Sequence, residues 1–419
     1  MKRLLLAWMV FTCLNASAQN YLLTFAGTEA SNTIDSILVQ NLTQGTNLKL
    51  FGTDTLHLQG VLEVQNRLKN GNQSVLFYPN PMDLKGSFEF DAPQGGQATI
   101  EVFNAAGKQL IQAKLELGKG HQKFQLSNLD FGMNYIEISS SDYRLTGTIL
   151  CQNKGKETPN LEDANGNAFF VNGARISTTN NLKSMLYYDD EILLLKAFSG
   201  TFASVIALVP TSNALINIPF FDCTDGDGNH YSTVKIGDQV WMAENLKTTR
   251  FLNGDTIPNM ANGFQWATAD SSGYCNHSNN QENATIYGRL YNWYSVKDNR
   301  KLAPAGWHIP TSNEWQTLVN GNGGKYLAGG KLKETGNMHW ISPNSGATNA
   351  LGFSALPGGN RNDIANFYNK GINGFWWTQT EITGAGSFGV HFSMYTNTPY
   401  CEHANADKHM GFALRCVKD

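Results

Sequence analysis

Short runs in which apolar and polar residues alternate dominate the first half of the chain. Residues 21–58, YLLTFAGTEASNTIDSILVQNLTQGTNLKLFGTDTLHL, contain β-branched runs separated by Gly, Thr and Asn, with a period of two at Ile37 and Val39. Such alternation is typical of strands that bury one face, because successive side chains point to opposite sides. We therefore predict a β-rich N-terminal segment over residues 19–76.

The same alternation recurs over residues 77–150. ATIEVFNAAGKQLIQAKLEL alternates on both sides of Asn104–Gly107, which predicts a hairpin, and HQKFQLSNLDFGMNYIEISSS predicts a second pair of strands. Short strands at this spacing favour a β-sandwich. Residues 151–221 alternate again around Gly200, so we predict a third, small β unit there.

The pattern changes near residue 222. Eight of the nine tryptophans lie between Trp241 and Trp377, and the other is in the first eighteen residues. YGRLYNWYSV (287–296) places apolar residues at i, i+3, i+4 and i+7, which predicts a helix with one buried face. Two helices within a Gly- and Trp-rich β context favour an α+β domain over residues 222–419.

The second predicted helix begins in GWHIPTSNEWQTL (306–318). This stretch contains a histidine and a glutamate close together, as a catalytic site would. T-S-N-E is a capping box, in which Thr311 and Glu314 each satisfy a backbone N–H at a helix start. His308 lies on the preceding extended segment between apolar neighbours. We therefore interpret His308 and Glu314 as structural residues and predict no catalytic pair here.

The chain opens with a pattern of its own. Lys2 and Arg3 precede a short apolar run, and the residues up to Ala18 resemble a signal-peptidase site. This predicts a secretory signal peptide over residues 1–18, cleaved after Ala18. The run is too short to cross a bilayer, and no later segment is apolar enough to do so. We expect an exported protein, extracellular or at the cell surface, without a membrane span.

Charge and composition narrow the classes of partner. Of 31 Lys and Arg, Lys2 and Arg3 leave with the signal, so 29 basic residues face 34 acidic ones, a net charge of −5. A mildly acidic chain disfavours nucleic acid as a partner. Only 16% of residues are charged and 41 are Gly, which suits an extracellular β-rich protein better than a helical enzyme. The length predicts two to four domains.

Two segments resemble known families. LFYPNPMDLKGSFEFDAPQGGQATIEVFNAAGKQL, followed by LDFGMNYIEIS, is similar to the sorting domain of the type IX secretion system, which implies a β-sandwich at 77–150. Sorting domains of that family lie at the extreme C-terminus, whereas about 270 residues follow this one. We therefore interpret it as a sandwich that spaces other domains.

From Cys223 onward the chain resembles the Fibrobacter succinogenes major paralogous (FISUMP) domain. The motifs DGDGNHYSTVKIGDQVWMAENLKTTRFLNGDTIPN, YGRLYNWYSV, APAGWHIPTSNEWQTL, GGKLKETGNMHWISPN, GFSALPGGNR, GFWWTQTE and GFALRCVKD occur in family order. The family is widespread in exported proteins of Bacteroidetes-like bacteria and has no established enzymatic activity. The resemblance implies an α+β fold similar to C-type-lectin-like and formylglycine-generating-enzyme domains, behind β-sandwich modules.

A ligand-binding segment is predicted within this domain. GGNRNDIANFYNKGINGFWWTQTE (358–381) is rich in Gly, Asn and aromatic residues, and Asn and Arg edges beside an aromatic platform suit a sugar or a peptide. The alternative is that the two tryptophans belong to a strand, one facing inward and one outward. The ligand-binding candidates are Arg361, Asn373, Trp376, Trp377 and Glu381.

DGDGN (225–229) is a candidate calcium site. Asp225, Asp227 and Asn229 alternate like the start of an EF-hand loop. No acidic residue falls where the bidentate glutamate is required, and the strand HYSTVKIG follows at once. A tight turn that leads into a hairpin is the competing interpretation, and no other cofactor is predicted.

Five cysteines follow residue 18, and export permits disulfides, although an odd number leaves at least one thiol without an internal partner. The formylglycine-generating relatives hold copper with two close cysteines, but Cys401 and Cys416 lack that compact spacing. His403 and His409 are weak candidates for helping them bind a soft metal. We expect the bridges Cys223–Cys416 and Cys275–Cys401, with Cys151 unpaired, while the sequence leaves other connectivities open.

The hypothesis from sequence is an exported, non-enzymatic binding or display protein, with a polysaccharide or cell-envelope glycan as the ligand. The first alternative is a thiol- or copper-dependent oxidase-like enzyme, which requires free, reactive thiols at Cys401 or Cys416. The second is a structural envelope protein without a ligand.

Overall fold

The computed structural model describes residues 20–59, 75–105, 107–140, 143–153, 155, 158–163, 182–383 and 388–419. The predicted signal peptide lies outside the described residues. The part that is described is mostly β-sheet, as the alternating patterns predict. No helix in these ranges is both long enough and apolar enough to cross a bilayer.

The strands, in chain order, are β1 (Asn20–Glu29), β2 (Ser36–Asn41), β3 (Asn47–Phe51), β4 (Thr55–Gln59), β5 (Leu76–Tyr78), β6 (Lys85–Ala92), β7 (Gly96–Asn104), β8 (Gln109–Leu117), β9 (Gly120–Ser127), β10 (Gly132–Ser140), β11 (Arg144–Cys151), β12 (Asn160–Asp163), β13 (Leu182–Leu186), β14 (Leu193–Ser199), β15 (Phe202–Leu208), β16 (Ala214–Phe220), β17 (Ser232–Ile236), β18 (Gln239–Met242), β19 (Tyr274–Cys275), β20 (Leu290–Tyr291), β21 (Trp307–His308), β22 (Gly358–Arg361), β23 (Phe367–Lys370), β24 (Asn373–Ile382), β25 (Phe388–Tyr395), β26 (Cys401–Asp407) and β27 (Val417–Lys418). The helices are α1 (Gly263–Thr268), α2 (Gln281–Tyr287), α3 (Trp293–Val296), α4 (Ser312–Gly321) and α5 (Ala328–Leu332), with one 3₁₀ turn at His277–Asn279.

The first and third predicted β units form one domain, which we call the N-terminal sandwich. Strand β1 pairs with β4 and, in parallel, with β16, while β2 pairs with β3 and β14. Leu23 and Leu56 from the first unit share one core with Tyr187 and Phe220 from the third. The predicted units 19–76 and 151–221 therefore belong to one domain, because neither buries its apolar face without the other.

The predicted sandwich at 77–150 is present and lies between the two halves of the N-terminal sandwich, so we call it the inserted sandwich. Its two sheets have the strand orders β11-β10-β7-β8 and β12-β9-β6-β5, and they enclose one core. The hairpin at Asn104–Gly107 is confirmed, with Gly107 at a φ of 74°. The second predicted strand pair is wrong, because β9 and β10 are consecutive but belong to opposite sheets.

The C-terminal domain is α+β and is continuous with the N-terminal sandwich. Strand β15 pairs in parallel with β17, which joins strands of both domains into one eight-stranded sheet, β21-β27-β18-β17-β15-β14-β2-β3. The three-stranded sheet β24-β25-β26 is the other large sheet of this domain. The change of composition near residue 222 therefore marks a change of fold without a break in the sheet.

The helix predicted over 287–296 is wrong. Helix α2 ends at Tyr287, because Gly288 adopts a φ of 79° and its backbone caps the helix. Residues Leu290 and Tyr291 then form β20, and Asn292 caps the short helix α3 through its side chain. The aromatic spacing marks burial correctly, since Tyr291 is fully buried, but burial here comes from three short elements.

The inserted sandwich packs against its host. The ammonium of Lys49 on β3 lies 4.5 Å from the ring centroid of Phe103 on β7. At the hairpin tip, a Cβ on Gly107 would come within 3.4 Å of Phe198, so the two surfaces are in close contact. Arg144 donates a hydrogen bond to the carbonyl of Ser184 at 2.9 Å. The inserted sandwich is thus held against the N-terminal sandwich at three contacts.

Candidate ligand-binding surface

The two tryptophans proposed as a platform are both buried. Trp376 and Trp377 are adjacent on β24 and point to opposite faces, as the strand alternative predicts, but both faces are covered and each side chain is 0% exposed. Trp376 packs in the core that contains Trp315, and Trp377 packs in the core that contains Tyr291. The expectation of one outward tryptophan is wrong, because this strand lies between two cores.

Arg361 is also buried, at 2% exposure, and its guanidinium is occupied by main-chain carbonyls. It donates to Met260 O at 2.6 Å, Ala261 O at 3.1 Å and Ala365 O at 3.1 Å. The central carbon of the guanidinium, Cζ, lies 4.8 Å from the centroid of the Trp266 ring. Arg361 therefore ties the loop before α1 to the turn after β22 and leaves no donor group at the surface.

The remaining two candidates lie at opposite ends of β24. Asn373 pairs with Tyr395 at the start of the strand, while Glu381 pairs with Gly389 beyond a β-bulge. Glu381 forms a half-buried ion pair with Lys408. The five predicted residues do not converge on one surface.

A different set of apolar side chains does face solvent in this part of the domain. Phe264 on α1 is 79% exposed, Ile364 in the turn after β22 is 66% exposed, and Tyr368 on β23 is 49% exposed. Helix α1 touches the turn after β22, since a Cβ on Gly263 would lie 3.4 Å from Ala365, and β23 directly follows that turn. We call this set the Phe264 surface. Large apolar side chains that face solvent on neighbouring elements are candidates for an interaction site.

Hydrogen bonds fix the backbone beneath the Phe264 surface. The indole N–H of Trp266 donates to the carbonyl of Asn362 at 3.1 Å, and Trp266 itself is buried. The imidazole of His277 lies 3.2 Å from the carbonyl of Tyr368, which links the 3₁₀ turn to β23. With Arg361, these contacts hold loops that have little regular structure in one arrangement.

Asparagine side chains form the rim of this surface. The Asn262 side-chain oxygen accepts from the N–H of Gln265, and the Asn362 side-chain oxygen accepts from the N–H of Asn366. Their oxygens are therefore held by these bonds. Their NH₂ groups take no part in the same bonds and can act as donors. The guanidinium of Arg361 is buried below, while the exposed Asp363, between Asn362 and Ile364, gives this part of the surface one carboxylate.

Alternation could have identified part of this surface. In Phe367–Lys370 the burial alternates, with Phe367 packed inward and Tyr368 outward, which is the period of two expected for a strand. Phe264 carries no such signal, because α1 is only six residues long and buries one residue, Trp266. The exposure of Phe264 follows from the tertiary contact between α1 and the turn after β22.

The candidate calcium residues form the competing tight turn. Asp225 Oδ1 accepts from the N–H groups of Asp227 and Asn229, and Asp225 Oδ2 accepts from Tyr231. Asp227 accepts from Thr249 and pairs with Arg250. Asp225 is therefore used as a turn residue that satisfies backbone donors. Throughout the described ranges, no group of three or more His, Cys, Asp or Glu is placed to hold a metal ion.

The five cysteines within the described ranges are all buried free thiols in this structure. Cys223 and Cys416 lie in the same core, and burial and the neighbouring Cys416 raise the pKa of the Cys223 thiol. Cys401 and Cys275 lie in two other cores, so the structure does not bring together the pair expected as Cys275–Cys401, nor Cys401 with Cys416 as a copper site. Burial also raises the pKa of Cys401 and Cys416, the opposite of an activated thiol.

The capping box predicted at the start of α4 is present. Thr311 and Glu314 form the capping box, with both reciprocal hydrogen bonds present. His308 on β21 lies 2.8 Å from Glu314 and 2.7 Å from Asp419. Burial lowers the pKa of His308, but the hydrogen bonds that its ring donates to these two carboxylates outweigh this effect, so the net shift is upward. His308 thus ties the start of α4 to the last residue of the chain.

The protein is thus a multidomain, mostly β protein with an α+β C-terminal domain. Comparison with protein families finds a match for two of its domains. Residues 234–418 match the Fibrobacter succinogenes major domain (Fib_succ_major), and residues 76–152 match the secretion system C-terminal sorting domain. Both resemblances noted in the sequence are confirmed. Neither the curated proteins nor the solved structures include a match to this chain. The two domains together indicate a secreted or cell-surface protein.

Proposed function

We propose that this exported protein binds or displays a ligand without catalysing a reaction, and that the ligand is a carbohydrate. The C-terminal domain, for which we propose a C-type-lectin-like fold, carries the binding surface. The observation that supports this most is the Phe264 surface, where Phe264, Ile364 and Tyr368 are exposed above a backbone held by the buried Arg361.

The chemistry of the surface favours a neutral sugar. A sugar ring presents an apolar face of C–H groups that packs on Phe264 or Tyr368, and a rim of hydroxyls. The amides of Asn262 and Asn362 can donate to those hydroxyls, and the exposed carboxylate of Asp363 can accept from them while disfavouring an anionic ligand.

The affinity for a single sugar should be low. Covering roughly 100 Å² of apolar surface contributes about 2.5 kcal/mol, and each neutral hydrogen bond adds roughly 0.5–1.5 kcal/mol. After the cost of association, a dissociation constant in the range of about 1 mM is expected for one contact. A polymer with repeated units, or several copies of the protein on one surface, raises this through multivalency.

The test is a glycan-array screen of the full chain followed by calorimetric titration of the best binder. Phe264→Ala should weaken binding about tenfold, since the ring loses its contact and its high exposure leaves folding unaffected. The matched control is Tyr326→Ala, which removes an aromatic that is 61% exposed elsewhere in the same domain. No glycan bound by the wild type, or equal loss in both variants, would contradict the proposal and favour a structural envelope protein.

A further inference from the structure

A cavity of about 450 Å³ lies between the three domains, away from the Phe264 surface. Each domain contributes a polar group to its lining: Tyr135 from the inserted sandwich, Lys196 from the N-terminal sandwich, and Lys247 and Glu334 from the C-terminal domain. We propose that this cavity binds a small organic anion that carries one carboxylate and several hydroxyl groups. The inference is independent of the carbohydrate surface, because it uses different residues.

Two ammonium groups share one carboxylate at one end of the cavity. Lys247 Nζ lies 3.0 Å from Glu244 Oε2, and Lys196 Nζ lies 3.8 Å from Glu244 Oε1. Glu244 Oε1 also accepts from Ser232 at 2.7 Å. At 3.8 Å the Lys196 contact is an ion pair without a hydrogen bond, so its donors remain for another acceptor. A ligand carboxylate would complete an arrangement in which two cations face two anions.

The formal charge of the lining also favours an anion. Lys196, Lys247 and Arg415 are cationic, against the carboxylates of Glu244 and Glu334. Arg415 adds charge, and each of its three guanidinium nitrogens already donates to a protein acceptor: the side chain of Asn245 and the carbonyls of Phe353 and Ser354. These five side chains give the lining a net charge of one positive unit. Within low-dielectric walls, this charge attracts an anion and disfavours a cation.

The other polar groups suit hydroxyls. Glu334 Oε2 lies 2.7 Å from His339 Nδ1, which leaves Glu334 Oε1 as an acceptor. Tyr135 also lines the cavity and brings a phenol that both donates and accepts. The remaining lining includes apolar side chains such as Leu38, Met133 and Leu356. The volume is at the lower end of the range of small-molecule sites, about 300–1,000 Å³, so the cavity fits one sugar-acid-sized molecule.

The experiment is isothermal titration of the full chain with D-glucuronate, and with D-glucose as the neutral probe of the same ring size. We expect one glucuronate per chain and at least about tenfold weaker binding of glucose, the effect of losing a charge-assisted contact. Lys247→Met should weaken glucuronate binding at least about tenfold for the same reason. Lys235→Met, an exposed strand lysine outside the cavity lining, is the matched control and should leave the affinity unchanged.

Tyr135→Phe provides a variant that removes one hydroxyl and little packing. It should weaken glucuronate about three- to tenfold, the range of one neutral hydrogen bond. Equal affinity for glucose and glucuronate, or unchanged glucuronate binding in both Lys247→Met and Tyr135→Phe, would overturn the assignment. Phe264→Ala should leave glucuronate binding intact, so a failure of the carbohydrate surface and a failure of this cavity give different results.

Discussion

The inserted sandwich and the C-terminal domain satisfy their main-chain carbonyls in different ways. In the inserted sandwich, long antiparallel ladders such as β6 with β9 and β7 with β10 pair nearly every residue. In the C-terminal domain, buried cationic side chains bond the carbonyls of irregular loops. Because an unpaired buried carbonyl costs about 1–3 kcal/mol, both solutions are stabilising, but only the second lets loops without regular structure become rigid.

Lys333 shows the second solution most clearly. It is 0% exposed, and its Nζ donates to the carbonyls of Ser345, Tyr395 and Thr398 at 2.8–3.0 Å. Arg415 and Arg361 act in the same way on other loops. A domain built like this can present a fixed surface on its loops, which is where binding sites are commonly found.

The largest expected effect comes from removing one of these cations. Arg361→Leu leaves three carbonyls without donors and should lower the free energy of unfolding by about 3–5 kcal/mol, as measured by urea denaturation. Arg250→Leu is the matched control, because Arg250 forms a half-exposed ion pair with Asp227 and its loss should cost at most about 1 kcal/mol. Similar costs for the two variants would contradict the special role of the buried cation.

A disulfide in the C-terminal domain would be a further difference between that domain and the inserted sandwich. We propose that Cys223 and Cys416, which share a core, form a disulfide in the exported protein, whereas Cys151 of the inserted sandwich stays free. The oxidant is a disulfide exchange partner, which takes up the two protons and two electrons that the thiols release. Mass spectrometry of the unreduced protein should find one bridge and three free thiols, and reduction should lower stability by about 2–4 kcal/mol. Five free thiols would refute the link.

The stability of the inserted sandwich should instead depend on pH through one buried carboxyl group, that of Glu137. Burial raises the pKa of Glu137 to about 7, with Arg144 opposing the shift and Glu101 reinforcing it. Since this pKa is above the ordinary 4.5, the folded state binds the proton more tightly, and stability is lost as pH rises from 4.5 through 7. The expected loss is roughly 2 kcal/mol by denaturation at the two pH values.

Glu137→Gln, which resembles the protonated form, should remove this pH dependence, while Glu116→Gln on an exposed position of β8 should retain it. If the wild type and Glu137→Gln lose the same stability between pH 4.5 and 7, Glu137 does not titrate in this range.

The two regions also differ in how well the sequence predicts them. In the inserted sandwich, alternation locates the strands and the hairpin at Gly107, because each strand buries one face and the period of two survives. It does not reveal that β9 and β10 separate into opposite sheets, since pairing depends on contacts distant in sequence. The union of the two outer β units into one sandwich is hidden for the same reason.

In the C-terminal domain, local signals predict the capping box at Thr311 and Glu314 correctly, because a cap is a contact between neighbours in sequence. Two other predictions are wrong. The helix predicted over 287–296 is interrupted at Gly288, and the tryptophan expected to face solvent is covered by another core. Arg361 is recognised as important but given the wrong role: its partners, from Met260 to Ala365, come together only through the tertiary fold.

The most direct test of the central claim is hydrogen exchange of residues 258–268 and 361–370 in the wild type and in Arg361→Lys, which keeps the charge but lacks the guanidinium fork. We predict faster exchange in both segments together, with loss of glycan binding and little change in the inserted sandwich. Unchanged exchange in both segments would show that Arg361 does not hold the Phe264 surface.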